Sequence, residues 1–433
     1  WAVEEALSST STAIFERARP RRRARSVSPR LLPQRSVIRF VTAGESHGQA
    51  LVSLIEGVPA GLPLLAAHID TELARRQQGY GRGRRMQIET DRAEFLTGVR
   101  AGETLGSPIA MLIKNRDWKN WEEIMDPAPR AEDAAEGRKR RVTRVRPGHA
   151  DLTGVLKYDR DDARDILERA SARETTARVA AGAVAKRLLA EFGVTIGSHL
   201  VHLGGVDAAR PAAMPIDINA AADASPLRTL DPIAEAAMIA RIDAAKKDGN
   251  TLGGVMEVIV DGLPVGLGSH VSWDRKLDGR IGAAMMSIPA VKGVEIGIGF
   301  EAARRTGADV HDEIEMAPGH ARTGNVRRKT NRAGGLEGGM TSGEPLVIKV
   351  AMKPISTLMR PLQTIDTKTS APADAAAERS DVTAVPAMGV IAEAMAALVL
   401  ADAFAEKFGG DSLAEMRRNH DAYLAHIAQR LGA

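Results

Sequence analysis

The chain has 433 residues, 44% of them hydrophobic and 26% charged, with ten histidines and no cysteine. That length and apolar content suit one large or two intermediate globular domains and exclude general disorder. The lack of cysteine excludes disulfides, thiolate nucleophiles, iron–sulfur clusters and thiolate zinc sites, and it fits a reducing, cytoplasmic setting. The net charge of +4 is unevenly spread: residues 1–36 hold eight arginines against Glu4, Glu5 and Glu16, which leaves the remainder at −1. A near-neutral body with local arginine clusters suits a small anion better than nucleic acid, and 3% aromatic content offers little stacking surface.

Residues 1–36 begin with Trp1, are rich in Ser, Arg and Pro, and lack the apolar centre of a secretory signal. They read as an extension outside the fold: translated upstream sequence, in preference to a transit segment, against which the three glutamates speak. No apolar run approaches the roughly 20 residues that span a bilayer, so no membrane segment is expected.

A strand over 37–41 delivers the loop 44–48 (GESHG), a second strand follows at 51–55, and 57–61 (GVPAG) is a turn. Residues 66–77 predict a helix stopped by Gly79, with Arg75 and Arg76 in its last turn, where cations stabilise a helix in any case. Arg82, Arg84 and Arg85 lie beyond it in a Gly-rich loop. The stretches 126–141 and 205–232 read as surface insertions. Between them, apolar spacing near 3.6 predicts a long helix over 162–192, broken near its start and stopped by Gly193. On a continuous helix Arg169, Arg173 and Thr176 share one face, ordinarily a solvated one. Strands at 255–260, 294–300 and 346–352 follow, then a helix over 389–408 ended by Gly409. Residues 302–335 form a long polar stretch of the kind used in lids or left disordered. Strands and helices mix without regular alternation, so the fold class is α+β.

Several strings carry chemistry. His47, flanked by Gly44 and Gly48, and His149, in 146–151 (RPGHAD) with Asp151 placed to orient its ring, are candidates for proton transfer near neutral pH. Each alone is ordinarily structural. The arginines of 75–85 and 169–178 suit an anion bearing phosphate and carboxylate. Residues 353–357 (KPIST) offer a cation and two hydroxyls to a phosphate. The glycines of 334–343 fit neither a P-loop nor a dinucleotide fingerprint, but let backbone lie against a ring or phosphate. Asp381 is a candidate base, with a helix cap as its ordinary role. Together these point to an enzyme acting on a small phosphorylated acid.

The ordered set 44–48, 56–61, 75–86, 106–109, 115–118, 146–151, 169–178, 286–293, 334–343, 353–357 and 379–381 resembles the chorismate synthase family over essentially all of 37–410. The resemblance implies an α+β sandwich of helices and antiparallel sheets with internal pseudo-symmetry, assembled as a homotetramer, with 411–433 a helical tail. It implies 1,4-anti elimination of phosphate from 5-enolpyruvylshikimate 3-phosphate to chorismate. Reduced FMN is required without net redox change, because it can lend electron density as phosphate leaves. His47 corresponds to the acid that helps phosphate depart, His149 to the residue beside the flavin, and Asp381 to the aspartate that assists deprotonation. Flavin contacts are implied for Arg169, Ala170, Ser171, Pro289, Ala290, Gly338, Lys353, Pro354, Ile355, Ser356, Thr357 and Arg379. Arg76 and Arg82 match arginines assigned to phosphate-bearing ligands, substrate or NADPH, and Ser46 is a weaker candidate beside His47. No added reductase domain is expected, so NADPH is expected to act indirectly, through an external flavin reductase. The competing readings are a flavin-dependent oxidoreductase and a nucleic-acid binder working through residues 1–36.

Overall fold

The computed structural model describes residues 37–83, 90–129, 141–376 and 381–430. The expectations for 1–36, Arg84, Arg85, Arg379 and most of 126–141 lie outside these residues.

The first half of the chain builds an antiparallel sheet from β1 (Arg39–Ala43), β2 (Ala50–Glu56), β3 (Glu94–Thr97) and β4 (Ile109–Lys114), in the order β1-β2-β4-β3. Alternation decides its buried face. Leu51, Ser53 and Ile55 pair with Ile113, Met111 and Ile109, and all six are fully buried. The second sheet comprises β5 (Thr195–Leu203), β6 (Val206–Asp207), β7 (Gly254–Asp261), β8 (Val291–Ile296) and β9 (Leu346–Met352), antiparallel in the order β8-β9-β7-β5-β6.

The helices are α1 (Ala66–Gln77), α2 (Asp151–Tyr158), α3 (Arg164–Ala170), α4 (Thr175–Ala190), α5 (Ile218–Asp223) and α6 (Pro232–Lys247). They continue with α7 (Leu277–Met286), α8 (Gly307–Val310), α9 (Val385–Phe408) and α10 (Leu413–Arg430). Helix α4 packs on β1, β2 and α1; α9 packs on α4, α7 and the inner face of the second sheet. The described residues therefore form a sandwich, sheet on helices on sheet, in which each half repeats the plan of an antiparallel sheet backed by helices. Helix α9 is apolar nearly all round because it is enclosed on nearly every side. It is long and apolar enough to cross a membrane, contrary to expectation, yet 94% of its most apolar window is buried inside the protein. Helix α10 closes one end, with His420 packed among Phe192, Phe404 and Phe408.

Several boundaries differ from expectation. The strand expected at 294–300 is β8, which ends at Ile296; a 3-10 turn, Gly299–Arg304, follows. The stretch 205–232 is no simple insertion, since it contains β6 and α5 and buries Leu227 and Arg228 in the core. The polar stretch 302–335 carries α8 and an antiparallel hairpin of Ile314–Met316 with Val326–Arg328. Asp312 ties it down, accepting from the Arg332 and Ala333 N–H groups at 2.9 Å each.

Candidate active site

β1 leads into the turn at 44–48, where Gly44 is required: its φ is +107°, and a Cβ would lie 2.4 Å from the Ala50 carbonyl oxygen. Asn115 closes this turn, donating from Nδ2 to the Gly48 carbonyl at 2.7 Å. His47 Nδ1 sits 3.0 Å from both carboxylate oxygens of Glu168, and the Trp121 ring stacks on the imidazole at 3.8 Å. Burial alone would push the Glu168 carboxyl up, but the hydrogen bonds and charge of His47, with Arg164 nearby, bring it below its ordinary value. An ionised carboxylate only accepts. Nδ1 therefore carries a hydrogen, and proton donation from this ring falls to Nε2, which bears a hydrogen as well when the ring is an imidazolium.

The expected break in the 162–192 helix falls at Ser171. Its backbone is extended (ψ 145°), its hydroxyl accepts the Arg173 N–H at 3.3 Å, and a 3-10 turn, Ala172–Glu174, separates α3 from α4. This elbow corrects the expected solvated face. It turns Arg173 and Thr176 inward, to 4% and 0% exposure, where Arg173 pairs with buried Asp91 at 2.7 Å. Arg169 stays exposed and donates to the Gly44 and Thr42 carbonyls at 3.0 and 2.9 Å, while Ser171 donates to Ser46 Oγ at 3.1 Å. Arg169, Ala170 and Ser171 are thus laid against the His47 turn.

Adjacent arginines at the end of α1 have separate roles. Arg75 holds buried Glu393 of α9 with two hydrogen bonds of 2.9 and 3.0 Å, a purely architectural contact. Arg76, 3% exposed, donates to Thr175 Oγ1 from Nε and Nη2, at 3.1 and 2.8 Å, and from Nη2 to the Ala172 carbonyl at 2.8 Å. Its Nη1 is buried and makes no hydrogen bond among the described residues. Burial pushes this guanidinium down to about 9; Asp91 and Asp381 oppose the shift, Arg82 and Arg173 add to it. It remains a cation at neutral pH, with its charge only partly offset, as an anion site requires. Arg82 reaches Asp381 at 3.1 Å, and the same carboxylate accepts the Gly83 N–H at 2.6 Å.

His149 is built on the same plan as His47. Its Nδ1 hydrogen-bonds fully buried Asp151, which Arg146 grips at 2.8 and 3.1 Å. Burial acts to raise the Asp151 carboxyl, but these partners hold it well below the carboxylate range. Arg146 also donates to Thr357 at 3.1 Å, and Lys353 donates to the Gly148 carbonyl at 2.6 Å. The strings 146–151 and 353–357 are therefore one structural unit. The Lys353 N–H donates to the Ala290 carbonyl at 2.9 Å, which brings in Pro289 and Ala290. Thr251 Oγ1 donates to the Ile355 carbonyl at 2.7 Å and the neighbouring Leu252 N–H to the Val382 carbonyl at 2.8 Å, linking this unit to Asp381.

Gly338 stands apart. Its hairpin meets the start of α7, where the Leu277 N–H donates to the Gly339 carbonyl at 2.9 Å. Pro289 and Ala290 follow the other end of that helix, roughly 15 Å away along its axis. Glu168 and Trp121 escaped the sequence reading. Glu168 directly precedes Arg169 and so was visible as a carboxylate at the edge of a motif, whereas nothing in the linear pattern ties Trp121 to His47.

A family model described as chorismate synthase matches residues 38–405. The chorismate synthase of Symbiobacterium thermophilum is 58% identical over 395 residues, covering 91% of this chain and 100% of that protein. That of Geobacter metallireducens is 56% identical over 394 residues, covering 90% and 99%. A crystal structure of chorismate synthase superposes with a TM-score of 0.72 at 44% identity, covering 90% of this chain and 98% of the other. With the family model spanning most of the chain and full-length relatives at this identity, the chain belongs to the chorismate synthase family.

Proposed function

We propose that this protein eliminates phosphate from 5-enolpyruvylshikimate 3-phosphate to give chorismate, using reduced FMN without net redox change. The observation that carries this reading is that one elbow, residues 168–175, grips both His47 and Arg76. A proton donor and a buried, partly uncompensated cation thus share one support, as departure of a phosphate requires. The C–O bond breaks with its electron pair passing to the phosphate oxygen, and the hydrogen at C6 is lost while the electrons of that C–H bond enter the new double bond. His47 Nε2 supplies the proton, and Arg76 and Arg82 offset the charge.

The residues suit a flavin phosphate and ring: Arg169 through Ser171, Pro289, Ala290, Lys353 through Thr357 and Arg379 would hold the group. When bound, it supplies electron density that eases phosphate departure. His149, with Nδ1 committed to Asp151, keeps Nε2 for hydrogen bonding on the flavin side, and Asp381 is a carboxylate able to accept a proton. Residues 37–410 form the catalytic domain in this reading and 411–433 a tail. The working assembly is a cytoplasmic homotetramer whose FMN is reduced by an external, NADPH-linked reductase.

The test is anaerobic incubation of the protein with photoreduced FMN and 5-enolpyruvylshikimate 3-phosphate. Equal release of phosphate and chorismate over many turnovers per flavin, with the flavin still reduced, is expected. Consumption of one reducing equivalent per turnover would make the protein an oxidoreductase instead.

A further inference from the structure

We infer that Glu168 is the positioning residue of His47, an inference that rests on the proposed role of His47 as proton donor. Glu168 is 2% exposed and holds the histidine at three levels. Its backbone carbonyl accepts the Ser46 N–H at 2.9 Å, its Oε2 accepts the His47 N–H at 2.9 Å, and both carboxylate oxygens lie 3.0 Å from Nδ1. Trp121 fixes the remaining freedom by stacking on the imidazole at 3.8 Å with an interplanar angle of 22°, and the Arg164 guanidinium lies 5.3 Å from the indole centroid. The ring is held by its edge and by its face.

Only a ring with hydrogen on Nδ1 satisfies this clamp. A carboxylate that accepts at Nδ1 holds a hydrogen on that nitrogen, so the acid form is the imidazolium and the proton it gives is the one on Nε2. Removing the carboxylate takes away the charge-assisted hydrogen bond that orients the ring, and loss of the corresponding partner of metal-bound histidines costs on the order of 10- to 100-fold. Glu168 is also the residue directly before Arg169, so α3 carries the orienting carboxylate and a flavin-side contact on consecutive positions. The proton donor is thereby set in fixed register with the edge of the flavin site.

The test is a double-mutant cycle of Glu168→Gln and His47→Ala in the full chain, with chorismate release and FMN affinity measured on each variant. Glu168→Gln is expected to lower kcat about 50-fold, with FMN affinity and substrate KM within about twofold of wild type, and Glu168→Asp to recover part of the loss. In the His47→Ala background, Glu168→Gln is expected to have no further effect, since a residue that acts through another is silent once that other is gone. Nitrogen-15 spectra of labelled histidine should show a strongly hydrogen-bonded Nδ1–H at His47 in wild type, and a weaker one in Glu168→Gln, where the acceptor is no longer charged. An equal fractional loss in both backgrounds, or wild-type kcat in Glu168→Gln, would overturn the inference. Full activity of His47→Ala would instead overturn the role of His47 itself, and that outcome is separately readable from the same cycle.

Discussion

Gly182 lies in the middle of α4, where that helix crosses α9, and Gly182→Ala tests whether the two helices touch as closely as the structure requires. A Cβ at this position would lie 2.3 Å from Ala394 Cβ, 2.6 Å from its Cα and 2.9 Å from its carbonyl oxygen. Ordinary carbon–carbon contact is about 3.5–4.0 Å, so the helices would have to part by roughly 1 Å. The obstacle is backbone, on a helix packed on nearly every side, and overpacking of this kind costs about 3 kcal/mol at the upper end of its usual range. Against this stands the helical preference of alanine over glycine, about 1 kcal/mol. The expected net loss is about 2 kcal/mol. Gly282→Ala in α7 is the matched control, because its Cβ meets nothing within 4 Å; only the propensity gain of up to about 1 kcal/mol applies. Urea unfolding at fixed protein concentration reads both. A lowered midpoint with unchanged slope for Gly182→Ala, and an equal or raised midpoint for Gly282→Ala, are expected. A Gly182→Ala protein as stable as wild type would refute the close crossing.

Three further outcomes are expected. His47→Ala lowers kcat by about 10²- to 10⁴-fold while FMN affinity holds, as for an acid acting in the transition state; titration of FMN fluorescence and chorismate assays check both halves. Arg76→Ala weakens the apparent affinity for 5-enolpyruvylshikimate 3-phosphate about 10- to 100-fold, and it abolishes any rise in melting temperature produced by inorganic phosphate. Asp151→Asn is less stable than wild type at pH 7, by on the order of 2 kcal/mol. The folded Asp151 carboxyl lies below its unfolded value, so its stabilisation is complete above about pH 4 and fades as pH falls further. The gap between the two proteins should accordingly narrow by pH 3 in paired denaturation curves; a constant gap would remove Asp151 from the acid response.

Elements with a strong local signature were legible in the sequence. Gly79 lies just beyond α1, the run Leu346–Met352 is β9, and Gly409 ends α9, because in each case local pattern and tertiary packing agree. The reading failed where a single residue redirects the chain. Ser171 caps the 3-10 turn, so the i, i+4 spacing that aligned Arg169 with Arg173 no longer describes one face. Arg228 was hidden in a stretch whose Pro, Ala and Asp content suggested surface, yet it is buried beside Ser198, Asn219 and Glu393. At the site, His149 and Asp151 stand two residues apart and were read as a pair. The matching partner of His47 is 121 residues away, and only the fold brings Glu168 to it.

In the proposed reaction His47 and Arg76, held by one elbow, face the departing phosphate. The most direct measurement is a crystal structure of the protein with oxidised FMN, which cannot support turnover, and 5-enolpyruvylshikimate 3-phosphate. The substrate phosphate is expected within hydrogen-bond distance of His47 Nε2 and Arg76 Nη1. A phosphate bound away from both would contradict this arrangement.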